Sequence, residues 1–144
     1  MNFDFEELEK AVDFYAMTVE SLFPNSDQVI WIWRDSKTEE EIARLWLIFK
    51  DDQWKFEVLN VEQPKSGFLT NLAYALGNFA QENGIDKFFI QTPVSESREA
   101  FVHIGFEEGE TETTDLTADT QRIAEYGNWR KKKGPRPDWH KELD

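Results

Sequence analysis

Glu57 and Asn60 lie near the end of a largely apolar run, residues 54–61, and a turn carrying Gln63, Lys65, Ser66 and Gly67 follows at once. A carboxylate can take a proton from a nucleophile only within hydrogen-bond reach and with a pKa near the working pH. An amide such as Asn60 more simply satisfies backbone groups where a strand splays. A turn that follows a strand and opens a helix can bind an anion, because the first helical amides lack internal partners and the helix dipole favours negative charge there. Two imidazoles, His103 and His140, are too far apart in sequence to form a short ligand motif. The chain has no cysteine, which removes disulfides, thiolate nucleophiles and Cys-based metal sites together, and no structural metal is expected.

Each of these groups has a plainer reading. A strand Glu facing solvent is the common case, and one glycine between a strand and a helix is ordinary. A His on a partly buried helix is more often a packing or hydrogen-bonding residue than an acid or base. What separates the readings is the set of elements that positions the groups.

Phe5, Leu8, Val12, Tyr15, Val19 and Leu22 recur at steps of three and four and predict a first helix over residues 5–22, with Asp4 and Glu7 at the spacing of a capping box. Residues 28–34, QVIWIWR, form a continuous apolar run of strand length, as expected for a strand covered on both faces. A polar connection over residues 35–41 leads to a strand at 42–50, and Asp51-Asp52 turns it back into a strand at 54–61. A helix then carries Leu69, Leu72, Leu76 and Phe79 on one stripe before the stop signal Asn83-Gly84. Residues 85–92 read as the next strand, 95–104 as a short helix ended by Gly105, and 106–116 as one or two exposed, charge-protected edge strands. A last short helix is expected at 119–126. Beyond it, Pro135-Arg136-Pro137 argues against regular structure, while Trp129 and Trp139 imply docking on something.

At 144 residues the chain is one domain by size, and six Trp, three Tyr and twelve Phe supply much of its core. The net charge of −13 is unevenly placed: residues 1–127 hold 10 Lys/Arg against 26 Asp/Glu, and residues 128–144 hold 6 against 3. An acidic body repels phosphate backbones, so nucleic acid is not the expected partner, and cationic acceptors are favoured. Solubility alone is an equally good reason for the acidity. No apolar stretch approaches a membrane span and no leader pattern opens the chain, so the reading is a soluble cytoplasmic protein.

Residues 54–106 thus make a β-α-β-α unit ending in Ala100-Phe101-Val102-His103-Ile104-Gly105-Phe106. In order and spacing this unit resembles the cofactor-binding half of the GNAT superfamily, N-acyltransferases that move an acetyl group from acetyl-CoA to an amine. The resemblance implies an α/β fold: a GNAT-like domain over residues 1–127 with a mixed, mostly antiparallel sheet, helices on both faces and a central parallel strand pair. A basic Trp- and Pro-containing tail at 128–144, able to engage a protein partner, would follow. Members usually place a strand before the first helix. Only Met1, Asn2 and Phe3 precede it here, so that strand is expected to be missing or a stub.

The same resemblance implies a set of site residues. The family's phosphate turn reads Arg or Gln, two residues, Gly, one residue, then Gly or Ala. It falls on Pro64, Gly67 and Leu69, so one position of three matches, with Gln63 and Lys65 beside the first. Acetyl-CoA would be the cofactor, held by Gln63, Lys65, Ser66, Gly67 and Phe68 at the turn, along Leu59 and Val61 on the strand, and near Phe101. The family's Tyr, which protonates the departing thiolate, aligns with Phe101, which has no proton to give. Glu57, Asn60 and His103 are the candidate catalytic residues, Glu57 or a nearby water as base toward a small-molecule or lysine amine. Both motif departures equally suit a GNAT fold that has lost catalysis and serves as a binding or structural protein, as in some tailed-phage virions. An acidic decoy of nucleic acid is a third reading.

Overall fold

The computed structural model describes residues 3–50, 53–61, 67–91, 95–108 and 115–143, without the side chains of Lys50, Asn60 and residues 95–97. A seven-stranded sheet in the order β1-β2-β3-β4-β5-β7-β6 organises the chain. Its strands are β1 Met17–Leu22, β2 Gln28–Asp35, β3 Glu41–Lys50, β4 Gln53–Val61, β5 Lys87–Ile90, β6 Glu107–Glu108 and β7 Leu116–Asp119. Every neighbouring pair is antiparallel except β4 and β5, which run parallel. The helices are α1 Phe5–Ala11, α2 Phe68–Glu82, α3 Ser95–Ile104, α4 Thr120–Lys132 and α5 Asp138–Lys141.

The first helix is far shorter than its periodicity predicts. Asp4 caps α1 by accepting from the Glu6 amide, but the helix stops at Ala11, and Ala16 adopts φ 64° as the chain turns into β1. Tyr15, which continues the helical spacing, is 96% exposed. β-branched Thr18 and Val19 favour an extended chain, and β1 shows alternating burial. Among the described residues no strand precedes α1, as expected, and the edge of the sheet is formed instead by β1, which follows the helix.

Trp31 and Trp33 of β2, Leu45 and Leu47 of β3, Trp54 and Phe56 of β4 and Phe88 of β5 line one buried face of the sheet. Although the sequence leads one to expect helices on both faces, α1, α2, α3 and α4 gather on this one. Phe14 stacks on Trp33, Phe68 of α2 lies 4.8 Å from Trp33, and Phe101 and Ile104 of α3 join Phe56, Phe88 and Ile123 of α4 around one small apolar space. The cause is topological. Both crossovers, β4-α2-β5 and β5-α3-β6, advance the sheet in the same direction, and right-handed connections then place both helices on the same side. The opposite face carries Ile30, Arg34, Arg44, Trp46, Ile48, Lys55 and Glu57, partly exposed. So β2 is covered fully on one face only.

α2 and α4 form a close antiparallel pair. A Cβ on Gly77 would lie 2.5 Å from the Ala124 amide nitrogen, and one on Gly127 2.4 Å from Tyr74 Cα, so glycine is what permits this approach. α4 runs past position 127 to Lys132, beyond the end at 126 expected from sequence. The prolines then lead into α5, where His140 is 2% exposed. Residues 128–143 are packed on the body through Trp129, Trp139 and His140, and the tail contains helix that the Pro-Arg-Pro signal did not predict.

Candidate functional site

The pairing of β4 changes halfway along the strand. Gln53, Trp54, Lys55 and Phe56 lie opposite Lys87, Phe88, Phe89 and Ile90, and the ladder ends as the Gln91 amide donates to the Phe56 carbonyl. β4 continues through residues 57–61 with β3 alone as neighbour. Within that stretch Leu45 faces Val58 and Arg44 faces Asn60, so Leu59 is the extra residue of a bulge, and it is 42% exposed. Since Phe56 directs its carbonyl toward β5, alternation aims the N–H and C=O of Val58 into the space that β5 has left. Extended backbone with open polar groups at the parting of two parallel strands is a natural place for an extended ligand.

Gly67 opens the helix that follows β4. It takes φ 78° as N-cap of α2, a conformation that glycine adopts without strain, and nothing lies within 4 Å of the position a Cβ would occupy. No side chain caps the helix and its first turn holds no acidic residue. The amides of Leu69 and Thr70 lie in this first turn, at the positive end of the helix dipole. Phe68 is fully buried against Trp33 and Phe14, and Leu69 is 8% exposed, turned into the core. The Phe68 side chain is thus committed to the core. Gln63, Lys65 and Ser66 lie outside the described residues.

The antiparallel packing of α2 and α4 adds a group that sequence reading assigned to a tail. It sets the basic end of α4 beside the opening of α2: Lys131 Nζ donates to Asn71 Oδ1 at 2.5 Å, and Lys132 Nζ lies 5.5 Å from the Tyr74 ring. The glycines at 77 and 127 were the available sequence signal, since two mid-helix glycines at matching distances from a common crossing mark a close helix pair.

The remaining candidates are distributed as follows. Glu57 is exposed on the sheet face opposite the helices, opposite Trp46 of β3, and Val61, opposite Ala43, is half-buried. The backbone of Asn60 pairs with Arg44. Phe101 is 3% exposed, 5.7 Å from Phe106, and lines a small apolar cavity of about 20 Å³. Its side chain is a core residue with no polar atom to offer. His103 is exposed on the side of α3 that meets the C-terminal residues, 5.7 Å from Tyr126 and 4.6 Å from His140. The two imidazoles that lie 37 positions apart in sequence are thus neighbours in space. Arg136 Nε donates to His140 Nδ1 at 3.0 Å, and the Trp129 and Trp139 rings complete this cluster. Among the described residues no group of three or more potential metal ligands occurs, and no helix is long and apolar enough to cross a membrane.

No protein-family model matches the chain, and no curated protein matches it in sequence. Solved structures do match its fold. An acetyltransferase of the GNAT family from Staphylococcus aureus Mu50 superposes with a TM-score of 0.54 at 12% identity over 69% of this chain and 72% of that one. A mutant of the toxin AtaT, bound to the C-terminus of the antitoxin AtaR and acetyl-CoA, gives 0.53 at 13% identity over 75% and 96%. Apo FdhC, a nucleotide-linked sugar GNAT, gives 0.52 at 11% identity over 76% and 65%. With its mixed seven-stranded sheet and its parallel β4 and β5 bracketing α2, this chain has the GNAT acetyltransferase fold.

Proposed function

We propose that the protein is an N-acetyltransferase that moves an acetyl group from acetyl-CoA to an amine. The observation that carries this reading is the parting of β4 from β5 after Phe56, with a bulge at Leu59 on one side and the uncapped, glycine-led start of α2 on the other. The pantetheine arm would lie along residues 58–61 as an added strand, and the pyrophosphate would rest on the first amides of α2. Lys131, already beside that turn through Asn71, would supply the cation that the Pro64 position lacks. The acetyl-CoA held by AtaT, a neighbour in fold, is in keeping with this cofactor.

The amine would approach on the face that carries Glu57, where no described helix stands in the way. Its nitrogen attacks the thioester carbonyl carbon, whose oxygen is polarised by a β4 backbone amide. The C–N bond forms, the C–S bond breaks, the amine proton passes to Glu57 directly or through water, and solvent protonates the thiolate. Asn60 would help shape this end of the strand, whereas the ring packing of His103 on His140 and Tyr126 fits a structural role. The acidic body favours a cationic acceptor, either a small polyamine or a lysine side chain.

Thiol release from acetyl-CoA across a panel of polyamines, lysine peptides and amino sugars tests the reading. Glu57→Gln should lower kcat about 10²-fold, the ordinary size of a general-base contribution, without altering acetyl-CoA affinity. A second reading, a GNAT fold that binds without turnover, is favoured by the buried phenyl ring of Phe101 at the position of the family's acid. Acetyl-CoA binding with no turnover on any amine would select it.

A further inference from the structure

β1 is the free edge of the sheet at the end remote from β4 and β5, and its backbone is directed in a definite way. The Ser36 amide donates to the Ala16 carbonyl, which makes 16 and 36 a hydrogen-bonded pair of the β1–β2 ladder. By alternation Thr18 and Glu20 also turn their backbone groups toward β2, while Met17, Val19 and Ser21 turn theirs outward. The Met17 amide is taken by the Phe14 carbonyl in the preceding turn. That leaves, among the described residues, the N–H and C=O of Val19 and of Ser21 and the carbonyl of Met17 along an open edge. β1 carries neither lysine nor proline, its one charge, Glu20, is paired with Arg34 of β2, and no bulge interrupts its register with β2.

This edge is the floor of a groove. Met17, Thr18 and Val19 form one side and Glu6, Glu9, Lys10 and Asp13 of α1 and its exit turn the other, enclosing about 450 Å³. All four of these α1-side residues are exposed, and three of them are carboxylates. Glu6 and Glu9 lie three residues apart on α1, about 4.5 Å along its axis, and Asp13 follows in the exit turn.

From this geometry we infer that the β1 edge and the α1 carboxylates form a docking groove for an extended basic peptide segment of a partner protein. The segment adds an eighth strand, with its backbone on Val19 and Ser21 and Lys or Arg at alternate positions against Glu6, Glu9 and Asp13. Charge decides between this occupant and a second copy of the chain. Two copies paired edge to edge about Val19 would set two carboxylate walls against one another, whereas a basic strand neutralises one.

The test uses the full-length protein and a fluorescent octapeptide alternating lysine and valine, with a glutamate–valine peptide as control, read by anisotropy at low and high salt. The lysine peptide should bind, weaken as salt rises, and lose at least about tenfold in affinity to Val19→Pro. That change removes the central outward N–H at an edge position where proline is tolerated. A triple variant, Glu6→Gln/Glu9→Gln/Asp13→Asn, alters only exposed side chains. It should weaken binding similarly and flatten the salt dependence, so the inference stays testable if the proline variant does not fold. Absence of binding at millimolar lysine peptide, equal binding of the glutamate peptide, or binding indifferent to the triple variant would overturn it. So would a dimer in sedimentation equilibrium that Val19→Pro dissolves, since a second copy would then occupy the edge.

Discussion

The two halves of β4 have the same neighbour on one side and opposite fates on the other. In the first half Trp54 is 1% exposed and Phe56 4%, both strand edges are paired, and Trp54 lies within 6 Å of the rings of Phe3, Phe49, Phe79 and Phe88. In the second half β5 is gone, Leu59 bulges out half-exposed, and Val58 turns backbone groups toward open space. One strand thus serves as the anchor of the core and as a surface for a ligand. What divides them is where pairing ends, at Phe56 and Ile90.

If that division is right, the largest effect of a single change belongs to the anchored half. Trp54→Ala should lower unfolding free energy by about 3–5 kcal/mol, whereas Leu59→Ala should change it by less than about 0.5 kcal/mol, as measured by urea titration. Comparable losses at both positions would remove the contrast. Next in size is Gly127→Ala at the α2–α4 crossing. The new Cβ meets the Tyr74 backbone, and overpacking of this kind costs about 1–3 kcal/mol. Gly67→Ala, with open space around it, should cost only the left-handed conformation, roughly 1–2 kcal/mol. Deleting Leu59 should leave the melting temperature within a few degrees, because residues 58, 60 and 61 keep their β3 partners, yet weaken acetyl-CoA binding at least about tenfold, because it removes the bulge that shapes the open half of the strand.

The smallest effect lies outside β4, in the turn that joins β2 to β3. Asp35 accepts from the Lys37 and Thr38 amides at 2.8 and 3.0 Å. Those backbone hydrogen bonds, Thr38's first, hold its carboxyl below the usual carboxylate range. A depressed folded-state pKa means the turn is favoured above the unfolded carboxylate pKa, about 3.9, and that this contribution is lost as pH falls through the folded value. Amide protection factors in residues 35–40, taken relative to the intrinsic exchange rate at each pH, should therefore fall below about pH 4 in the native protein, and Asp35→Asn should flatten that dependence.

Much of this was legible in the sequence, and the reasons differ by element. β2, β3, β4, α2 and α3 announce themselves through apolar runs or stripes bounded by turns, and their order carried the resemblance to the fold. β1 was hidden because Tyr15, Val19 and Leu22 happen to extend the helical spacing of Phe5, Leu8 and Val12, while the turn at Ala16 leaves no glycine or proline signal. The placement of the basic run by α2 and of His140 by His103 depends on the α2–α4 crossing, a contact between residues about 50 positions apart. No local period reports such a contact. The side of the sheet that the helices cover follows from handedness and strand order, so it became visible only with the topology. Of the site, Gly67 and the run over residues 57–61 could be named from sequence, but the bulge at Leu59 and the end of pairing at Phe56 could not, because register is a property of strand pairs.

The central claim is that the open half of β4 and the start of α2 hold acetyl-CoA. Calorimetric titration of the protein with acetyl-CoA, beside a Gly67→Asp variant, tests it most directly. Aspartate tolerates the left-handed N-cap and has room there, so the fold should survive, but its carboxylate would stand where the pyrophosphate should sit. The account predicts micromolar binding, about −8 kcal/mol, weakened at least about tenfold in the variant. No binding at millimolar acetyl-CoA, or equal binding by both proteins, would contradict it.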